Sequence, residues 1–595
     1  MKREIPAGYW SLLSMVKRPG RYSGGEWGSM AIEDDGRDEK KVRICLAFPD
    51  VYEVGMSYLG FQILYSLIGT LGYARAERAY CPWIDMEAAM REAGLPLCSL
   101  ETGRPLCDFD AVGFTLQYEL CSTNILTMLD LGRVPIRSSE RGDADPIVIG
   151  GGCGALAPAP LEIFFDAFCI GDGEDSTPEI LTALLETRGR PRYERLLAVS
   201  AVRGVYVPGL SAVPARRRIV ENLDEGFLHR TMIVPNMGVI HDRAVVQVQR
   251  GCTRGCRFCQ AGIIDRPVRE RGLESVARQI EDLLSFTGWE EVGLLSLSTC
   301  AWTPLAGLLE YIAPLLDRNG IKLSLPSLRM DSFSIELAAK LEEMRRGGLT
   351  FAPEAGSGRL RAVINKSVTE HDIESALDAV FEHGWDRVKL YFMMGLPTET
   401  FQDLDGIADI AFEAAAAARR HKRRGNISVS LAGFVPKAHT PFQWEAQISR
   451  DELRERGRYV KGRVRNGRIS LSYHEPNQTF LEGVYARGDG RLGEATLEAW
   501  RRGARFDGWT ECFNANLWTE VFSDLDIDPD WYASRPREID EPLPWDMIDV
   551  GVTKKFLASE RAAALRGETT DDCRHAGCNG CGWQGCAEAC RNALG

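Results

Sequence analysis

Residues 245–260 read VVQVQRGCTRGCRFCQ: an apolar-alternating run, Val245-Val246-Gln247-Val248-Gln249, then Arg250, then Gly251-Cys252-Thr253-Arg254-Gly255-Cys256-Arg257-Phe258-Cys259-Gln260. The β-branched first part has strand character. The second part sets three thiols within eight residues on the loop that follows. Loops at the C-terminal ends of parallel strands are where α/β folds build their chemistry. Three thiolates so spaced can surround one face of an iron–sulfur cube. A [4Fe–4S] cluster normally takes four cysteines, so three leave one iron open to an exogenous ligand. A zinc site is the alternative, and no nearby His or fourth Cys completes its tetrahedron.

Working outward, the same strand begins a series. Val245–Gln249, Val292–Leu297, Lys322–Leu325, Leu349–Ala352, Arg387–Met393 and Ile427–Leu431 read as strands, separated by helical patterns such as Asp372–His383 and Phe401–Arg419. Six such units over 245–449 predict a (β/α)6 partial barrel with its site at the strands' C-terminal ends. Upstream, short apolar segments at Val42–Phe48 (VRICLAF), Ala111–Phe114, Pro146–Ile149 and Phe165–Ile170 alternate with helical stretches. That alternation predicts a doubly wound parallel-sheet domain over 41–185. Its ligand edge falls at the turns Gly150-Gly151-Gly152 and Gly171-Asp172-Gly173-Glu174, where glycine lets a backbone approach a flat or anionic ligand. Residues 1–40 read as an N-terminal arm, 186–244 as a linker, 450–560 as a mixed region rich in Trp and Arg, and 561–595 as a cysteine-rich tail. The fold class is α/β.

The chain has 595 residues, enough for about three to five domains. Hydrophobic residues are 45% and charged residues 26%, which excludes wholesale disorder and fibrous repeats. No stretch approaches 18 uncharged apolar residues, so no membrane span is expected. Met1–Pro6 leads into no apolar run, so the expectation is a cytoplasmic protein without a secretory signal. In a reducing compartment the 17 cysteines are ligands or buried thiols. Cys45, Cys81, Cys98, Cys107, Cys121, Cys153, Cys169, Cys300 and Cys512 stand singly and read as small core residues. Cys573, Cys578, Cys581, Cys586 and Cys590 crowd into eighteen residues. Four of them, Cys573, Cys578, Cys581 and Cys586, suit a structural zinc or a second iron–sulfur cluster, and spacing does not separate the two. The formal charge is −13, yet residues 413–468 hold 14 basic and 5 acidic residues, a balance of +9. Such a stretch reads either as a footprint for RNA or an acidic protein or as a solvated face with cations at a helix C-terminus.

The CxxxCxxC loop resembles that of the radical S-adenosylmethionine (SAM) enzymes. That resemblance implies Cys252, Cys256 and Cys259 as cluster ligands, with SAM on the open iron, and Phe258 beside cluster and adenine. It implies Ser296, Ser298 and Thr299, in SLST, for the SAM amino group, and Arg329 and Asp331 after the third strand. Glu354, in FAPEAGSGRL, would serve the ribose or methionine part. GLPTET (Gly395–Thr400) ends the fifth strand, and Val435, in FVPK, would pack adenine. Each polar strand-end residue has a cap or turn as its alternative role.

The loop Asp50-Val51-Tyr52-Glu53-Val54-Gly55 resembles the frame of B12-binding domains, with Tyr52 where the cobalt-ligating His stands. The loops GGGCGALAPAPLE and IGDGED resemble those around the corrin's lower face and tail, implying Gly150, Gly151, Gly152, Gly171, Gly173 and Glu174. The first 228 residues contain no histidine, so the expected cobalamin is base-off, its lower face left to Tyr52, water or nothing. A dinucleotide domain is the competing reading, but the glycines after Phe48 are only Gly55 and Gly60, not G-x-G-x-x-G. A purely structural sheet is another.

Four strings, LAFPDVYEVGMSYLG, FAPEAGSGRLRAVINK, GFVPKAHTPFQW and DEPLPWDMIDVGVTKKFL, are similar to a bacterial subfamily of B12-binding radical SAM proteins of unassigned substrate. The resemblance implies reductive SAM cleavage and methylation of an unactivated carbon in a small molecule, RNA or protein, with flavodoxin or ferredoxin as electron donor. It also implies a radical-SAM-linked partner protein, expected here as a separate chain. Radical ring formation or rearrangement, and an RNA- or protein-modifying or assembly factor using residues 413–468, are the alternatives.

Overall fold

The structure, a computed structural model, describes residues 8–30, 40–325, 329–332, 349–465 and 467–583. The N-terminal sheet comprises β1 (Val42–Phe48), β2 (Ala74–Tyr80), β3 (Ala111–Thr115), β4 (Ile147–Gly151), β5 (Ala167–Cys169) and β6 (Val205–Tyr206). Their order is β2-β1-β3-β4-β5-β6, all parallel except β6, which runs antiparallel to β5. The order reverses between β1 and β3, and in open α/β sheets the crevice at that switch point is the ligand edge. β1 is apolar along its length because the sheet is covered on both faces, by helices that include Leu59–Gly69 and Ile84–Ala93.

Two parts of this sheet depart from expectation. β2, ARAERAY, has every residue buried despite two arginines and a glutamate. Arg78 is paired with Glu26 of the arm at 2.8 Å and with Glu101 at 2.6 Å, and that pairing makes the burial tolerable. β6 and the helix Arg192–Ser200 lie in the segment expected to be a linker. The N-terminal unit therefore runs past 185 to about Tyr206, because a two-residue strand carries no periodic signal.

All six strands expected in the second half are present: β7 (Ala244–Gln247), β8 (Glu291–Leu295), β9 (Lys322–Ser324), β10 (Leu349–Glu354), β11 (Arg387–Met394) and β12 (Asn426–Gly433). A seventh, β13 (Ile469–Tyr473), pairs parallel to β12 and carries the sheet beyond the expected limit at 449. The strands form two parallel sheets, β9-β8-β7 and β10-β11-β12-β13, and among the described residues no pairing joins β9 to β10. One hydrophobic cluster spans both, including Val246, Leu294, Leu323, Phe351, Leu390, Val429 and Ile469. The covering helices start on capping boxes, Thr369 with Asp372 and Thr400 with Asp403, which satisfy the free N–H groups of the first turn. Residues 476–524 are mainly helical around Val484, Tyr485, Trp518 and Phe522. No helix among the described residues is long and apolar enough to cross a membrane.

Candidate active site

The cysteine loop leaves β7 and returns through an antiparallel pair, Gln249–Arg250 with Arg269–Glu270. Gly251 opens it at φ +84°, where an added Cβ would lie 2.5 Å from the Asp265 carbonyl oxygen. Only glycine permits that approach. Cys259 caps the short helix Gln260–Ile264, its Sγ accepting from the Gly262 N–H at 3.3 Å. Burial, with the neighbouring Cys256 thiolate adding to it, pushes the Cys259 thiol up to about 12. Burial and Cys256 raise Cys252 as well, while Arg329 and Arg254 pull it back. Thiols in such a place stay protonated unless a metal displaces the protons. Three sulfurs, two flanking guanidiniums and no imidazole suit an iron–sulfur cluster. Among the described residues no three His, Cys, Asp or Glu side chains are gathered as a metal-ligand set, so the fit is one of donor chemistry.

Around this loop several expected residues converge. Arg329 Nη1 lies 3.9 Å from Cys256 Sγ and pairs with Asp331 at 2.9 Å, while Arg254 reaches Asp331 at 3.4 Å. Glu354 ends β10 at φ +68°, a left-handed conformation rare for a residue with a side chain. Burial raises its carboxyl, Lys366 at 3.4 Å opposes the shift, and its charge is felt at Cys259. Ser296 and Thr299 hydroxyls lie 3.1 Å apart, and Ser296 Oγ accepts from the Ser298 N–H. Among the described residues Ser298 Oγ is buried without a hydrogen-bond partner, just beyond the end of β8. Phe258 packs against the cluster of Leu360, Leu396, Phe434 and Phe442, and Val435 beside it is half-buried. GLPTET takes its alternative role: Glu399 accepts from the Gly395 N–H at 3.0 Å and Thr400 caps a helix.

The N-terminal edge corrects two expectations. Tyr52 is 1% exposed and its hydroxyl donates to Glu26 at 3.0 Å, inside the Arg78 network. It faces the core, so it is no ligand for a cobalt ion above the sheet. Glu174 pairs with Arg250 at 2.7 Å, and Asp172 beside it pairs with Arg250 at 3.1 Å and Arg269 at 2.5 Å. This turn therefore fastens the N-terminal sheet to the base of the cysteine loop. The glycines also have partners within the chain. A Cβ on Gly152 (φ +100°) would lie 2.7 Å from the Leu116 carbonyl oxygen, Gly150 would meet Leu116, Gly173 Leu64 and Gly55 Tyr80. Gly171 (φ +107°) approaches the Arg218 backbone, whereas Gly151 has only Cys169 at 3.9 Å. Asp50 stands at the switch point, accepting from Trp509 Nε1 at 3.0 Å, and burial raises its pKa to about 6. The sheet topology thus provides a ligand edge at its switch point, while Tyr52 and Glu174 are held by the chain's own residues.

Sequence reasoning missed the seam between the two ligand edges. Lys437, two residues after Val435, binds Glu119 at 2.6 Å and Glu482 at 2.8 Å, and the Tyr118 hydroxyl donates to Glu482 at 3.1 Å. Gln260, next to Cys259, donates to the Ala438 carbonyl at 3.1 Å, and His439 Nε2 lies 2.8 Å from the Leu156 carbonyl. Lys437 stood in the FVPK string, but nothing local marked Glu119 or Glu482. Part of the basic stretch is paired: Arg420 with Asp378 and Glu413, Arg454 with Asp451, Arg456 with Glu399 and Arg463 with Asp405. In the tail, Cys573 begins a short helix and Cys578 is exposed. Cys586 lies outside the described residues.

Residues 60–208 match the family described as radical SAM proteins, N-terminal, and residues 246–411 match the radical SAM superfamily. The chain is 26% identical over 456 residues to an uncharacterized protein of Methanocaldococcus jannaschii, covering 76% of this chain and 89% of that one. It is 23% identical over 290 residues to the ribosomal protein uS12 methylthiotransferase RimO of Thermotoga petrophila, covering 45% and 67%. The fold is similar to the solved structure of the radical SAM methyltransferase TsrM from Kitasatospora setae with cobalamin and a [4Fe–4S] cluster bound. The TM-score is 0.50 at 15% identity, covering 89% of this chain and 99% of that one.

Proposed function

We infer that this radical SAM enzyme is cobalamin-dependent and methylates an unactivated carbon of its substrate. The observation that carries the reading is the half-buried three-thiol loop at the end of β7 with Arg329 against Cys256. When bound, the cluster supplies the electron for reductive SAM cleavage, and cobalamin supplies a methyl carrier. The chain's own part is positioning. Cys252, Cys256 and Cys259 hold three irons, and Arg254 and Arg329 offset their thiolate charge. Ser298, with its free hydroxyl, receives the SAM ammonium, Glu354 the ribose or methionine end, and Phe258 with Val435 the adenine. The turns after β1 and β4 form the corrin's edge, with Asp50 at the switch point, and the turn after β5 clamps the sheet to the cysteine loop. The fold likeness to TsrM supports the cobalamin assignment. A flavodoxin or ferredoxin is the proposed donor, and the tail cysteines hold zinc or a second cluster.

A methylthiotransferase is the second reading, favoured by the match to RimO. The test is mass spectrometry of SAM products from anaerobically reconstituted protein with cobalamin and a strong reductant. 5′-Deoxyadenosine and S-adenosylhomocysteine are both expected, and both vanish in a Cys252/Cys256/Cys259→Ala variant. Deoxyadenosine without S-adenosylhomocysteine, at full cobalamin occupancy, refutes the methyl-transfer reading. Sulfur gained by a substrate together with the methyl group selects the second reading.

A further inference from the structure

The segment Glu560–Arg574 makes contact with three different strand-end loops, and apart from Cys573, read as part of the metal-binding tail, no sequence motif assigned its residues a role. In the cysteine loop it holds Arg257, a fully buried guanidinium. Arg257 donates to Glu560 at 3.1 Å, to the Glu568 carbonyl at 2.8 Å and to Thr570 Oγ1 at 3.3 Å. The same guanidinium donates to the carbonyls of Ala362 and Val363, the last residues of the short helix Gly358–Val363 that follows Glu354 and runs into a turn. In that turn Asn365 makes a two-way bond with Thr570: Nδ2 donates to its carbonyl at 3.0 Å and Oδ1 accepts from its N–H at 2.8 Å. Asn365 Nδ2 also reaches the carbonyls of Arg254 and Gly255, between the first two cysteines. Asp572 lies 3.5 Å from Arg254, and Arg574 donates to the Ala301 carbonyl at 2.9 Å, just beyond the Ser296–Thr299 motif.

We propose that residues 560–574 form a strap that positions the cysteine loop, the Ser296–Thr299 loop and the Glu354–Lys366 turn relative to one another, with Arg257 as its anchor. The proposal rests on reading residues 252–259 as the cluster loop. The cysteine loop and the Glu354–Lys366 segment also meet directly, the Arg257 N–H donating to the Ile364 carbonyl at 3.0 Å, and the strap ties both to the Ser296–Thr299 loop through buried or charge-assisted bonds, the stronger class. Geometry held to a fraction of an ångström by such outer contacts is what a positioned cofactor requires. Arg257 is a positioning residue: it touches the loop's supports and not SAM.

The test uses the full-length, cluster-reconstituted protein. An Asp572→Asn/Arg574→Gln variant keeps the strap's shape and removes its charges. It is expected to retain iron and sulfide at the wild-type ratio. The change that SAM induces in the electron paramagnetic resonance spectrum of the reduced cluster is expected to shrink. Substrate-independent deoxyadenosine formation is expected to fall about tenfold, and Arg574→Lys with native Asp572 to recover most of it. A spectrum and a deoxyadenosine rate within twofold of wild type overturn the strap while leaving the radical SAM reading intact. A wild-type protein that binds no cluster overturns both. If the double variant does not fold, hydrogen exchange on the wild-type holoenzyme decides. Peptides 252–259 and 568–574 are expected to exchange together, and a strap that exchanges freely over a protected cysteine loop refutes the proposal.

Discussion

Asp172→Asn separates two roles for the turn after β5, a ligand contact and a clamp between sheets. The Asp172 carboxylate faces Arg269 at 2.5 Å and Arg250 at 3.1 Å and accepts from the Val220 N–H at 2.9 Å. Burial alone would raise its pKa, but Arg250, Arg269 and Arg217 overcome that and hold it well below the usual carboxylate range. Asparagine keeps the acceptor for Val220 and leaves the guanidiniums with Glu174 and Asp265 alone. Removing one partner from a buried charge network costs about 3–5 kcal/mol. At a urea dependence of about 3 kcal/mol per molar, the upper end of the range for small proteins because the slope grows with chain length, the unfolding midpoint falls by about 1–2 M. A depressed carboxylate contributes stability that is present above its unfolded pKa and is lost as pH falls through the folded one. The gap between wild type and variant is therefore constant from about pH 5 to pH 8 and closes below about pH 4. Urea titrations followed by tryptophan fluorescence, with cobalamin affinity measured on the folded variant, check this. An unchanged midpoint with cobalamin affinity reduced more than tenfold would refute the clamp and restore the turn to the ligand.

Two further substitutions probe the same edge. Tyr52→Phe removes the donor to Glu26, a hydrogen bond to a charged group worth about 1.5–3 kcal/mol. It is expected to lower the thermal midpoint and leave the visible spectrum of bound cobalamin unchanged; a spectral shift at constant stability would make Tyr52 a cobalt neighbour after all. Asp50 has the opposite sign from Asp172. Burial raises its folded pKa to about 6, so the wild type loses stability as pH rises from about 4 through 6. Asp50→Asn, which mimics the protonated acid and still accepts from Trp509, is expected to gain about 1–3 kcal/mol at pH 7 and nothing at pH 4. Equal stabilities at the two pH values would sink that account.

The second half of the fold was legible because β7, β8 and β10–β12 are apolar runs punctuated by glycine and by capping residues. Their limits lie within about two residues of the expected ones. β2 was not legible, because its charges look like surface and are buried only through Glu26 and Glu101, residues 52 and 23 positions away. β13 alternates Ile469, Leu471 and Tyr473 with serines, but it follows a run of arginines that masks so short a signal. The cysteine loop, Arg329, Glu354 and Phe258 could be placed near one another from sequence because each follows or ends a recognisable strand. Tyr52 and Glu174 misled for the opposite reason. Each occupies a motif position, and its actual partner, Glu26 or Arg250, comes from a distant segment with no pattern of its own.

The proposed chemistry would need its two carriers held at one dry space, and the fold fastens the cysteine-loop side to the N-terminal sheet at several points. Asp172 and Glu174 grip Arg250 behind the cysteine loop. The strip Phe434–His439 closes the front: Ala438 takes a bond from Gln260 beside the cluster ligands, His439 reaches Leu156 beyond β4, and Lys437 bridges Glu119 after β3 and Glu482 of the helical region. Burial lowers the His439 pKa to about 4, so its ring is neutral across the physiological range. Burial would also strip the proton from Lys437, but Glu119 and Glu482 more than compensate and keep it charged. Neither fastening changes state between about pH 5 and pH 8. The His439 and Lys437 contacts are thus set by packing and fixed charge, and a pH-dependent rate in this range is expected from groups outside the seam, Asp50 at the switch point among them.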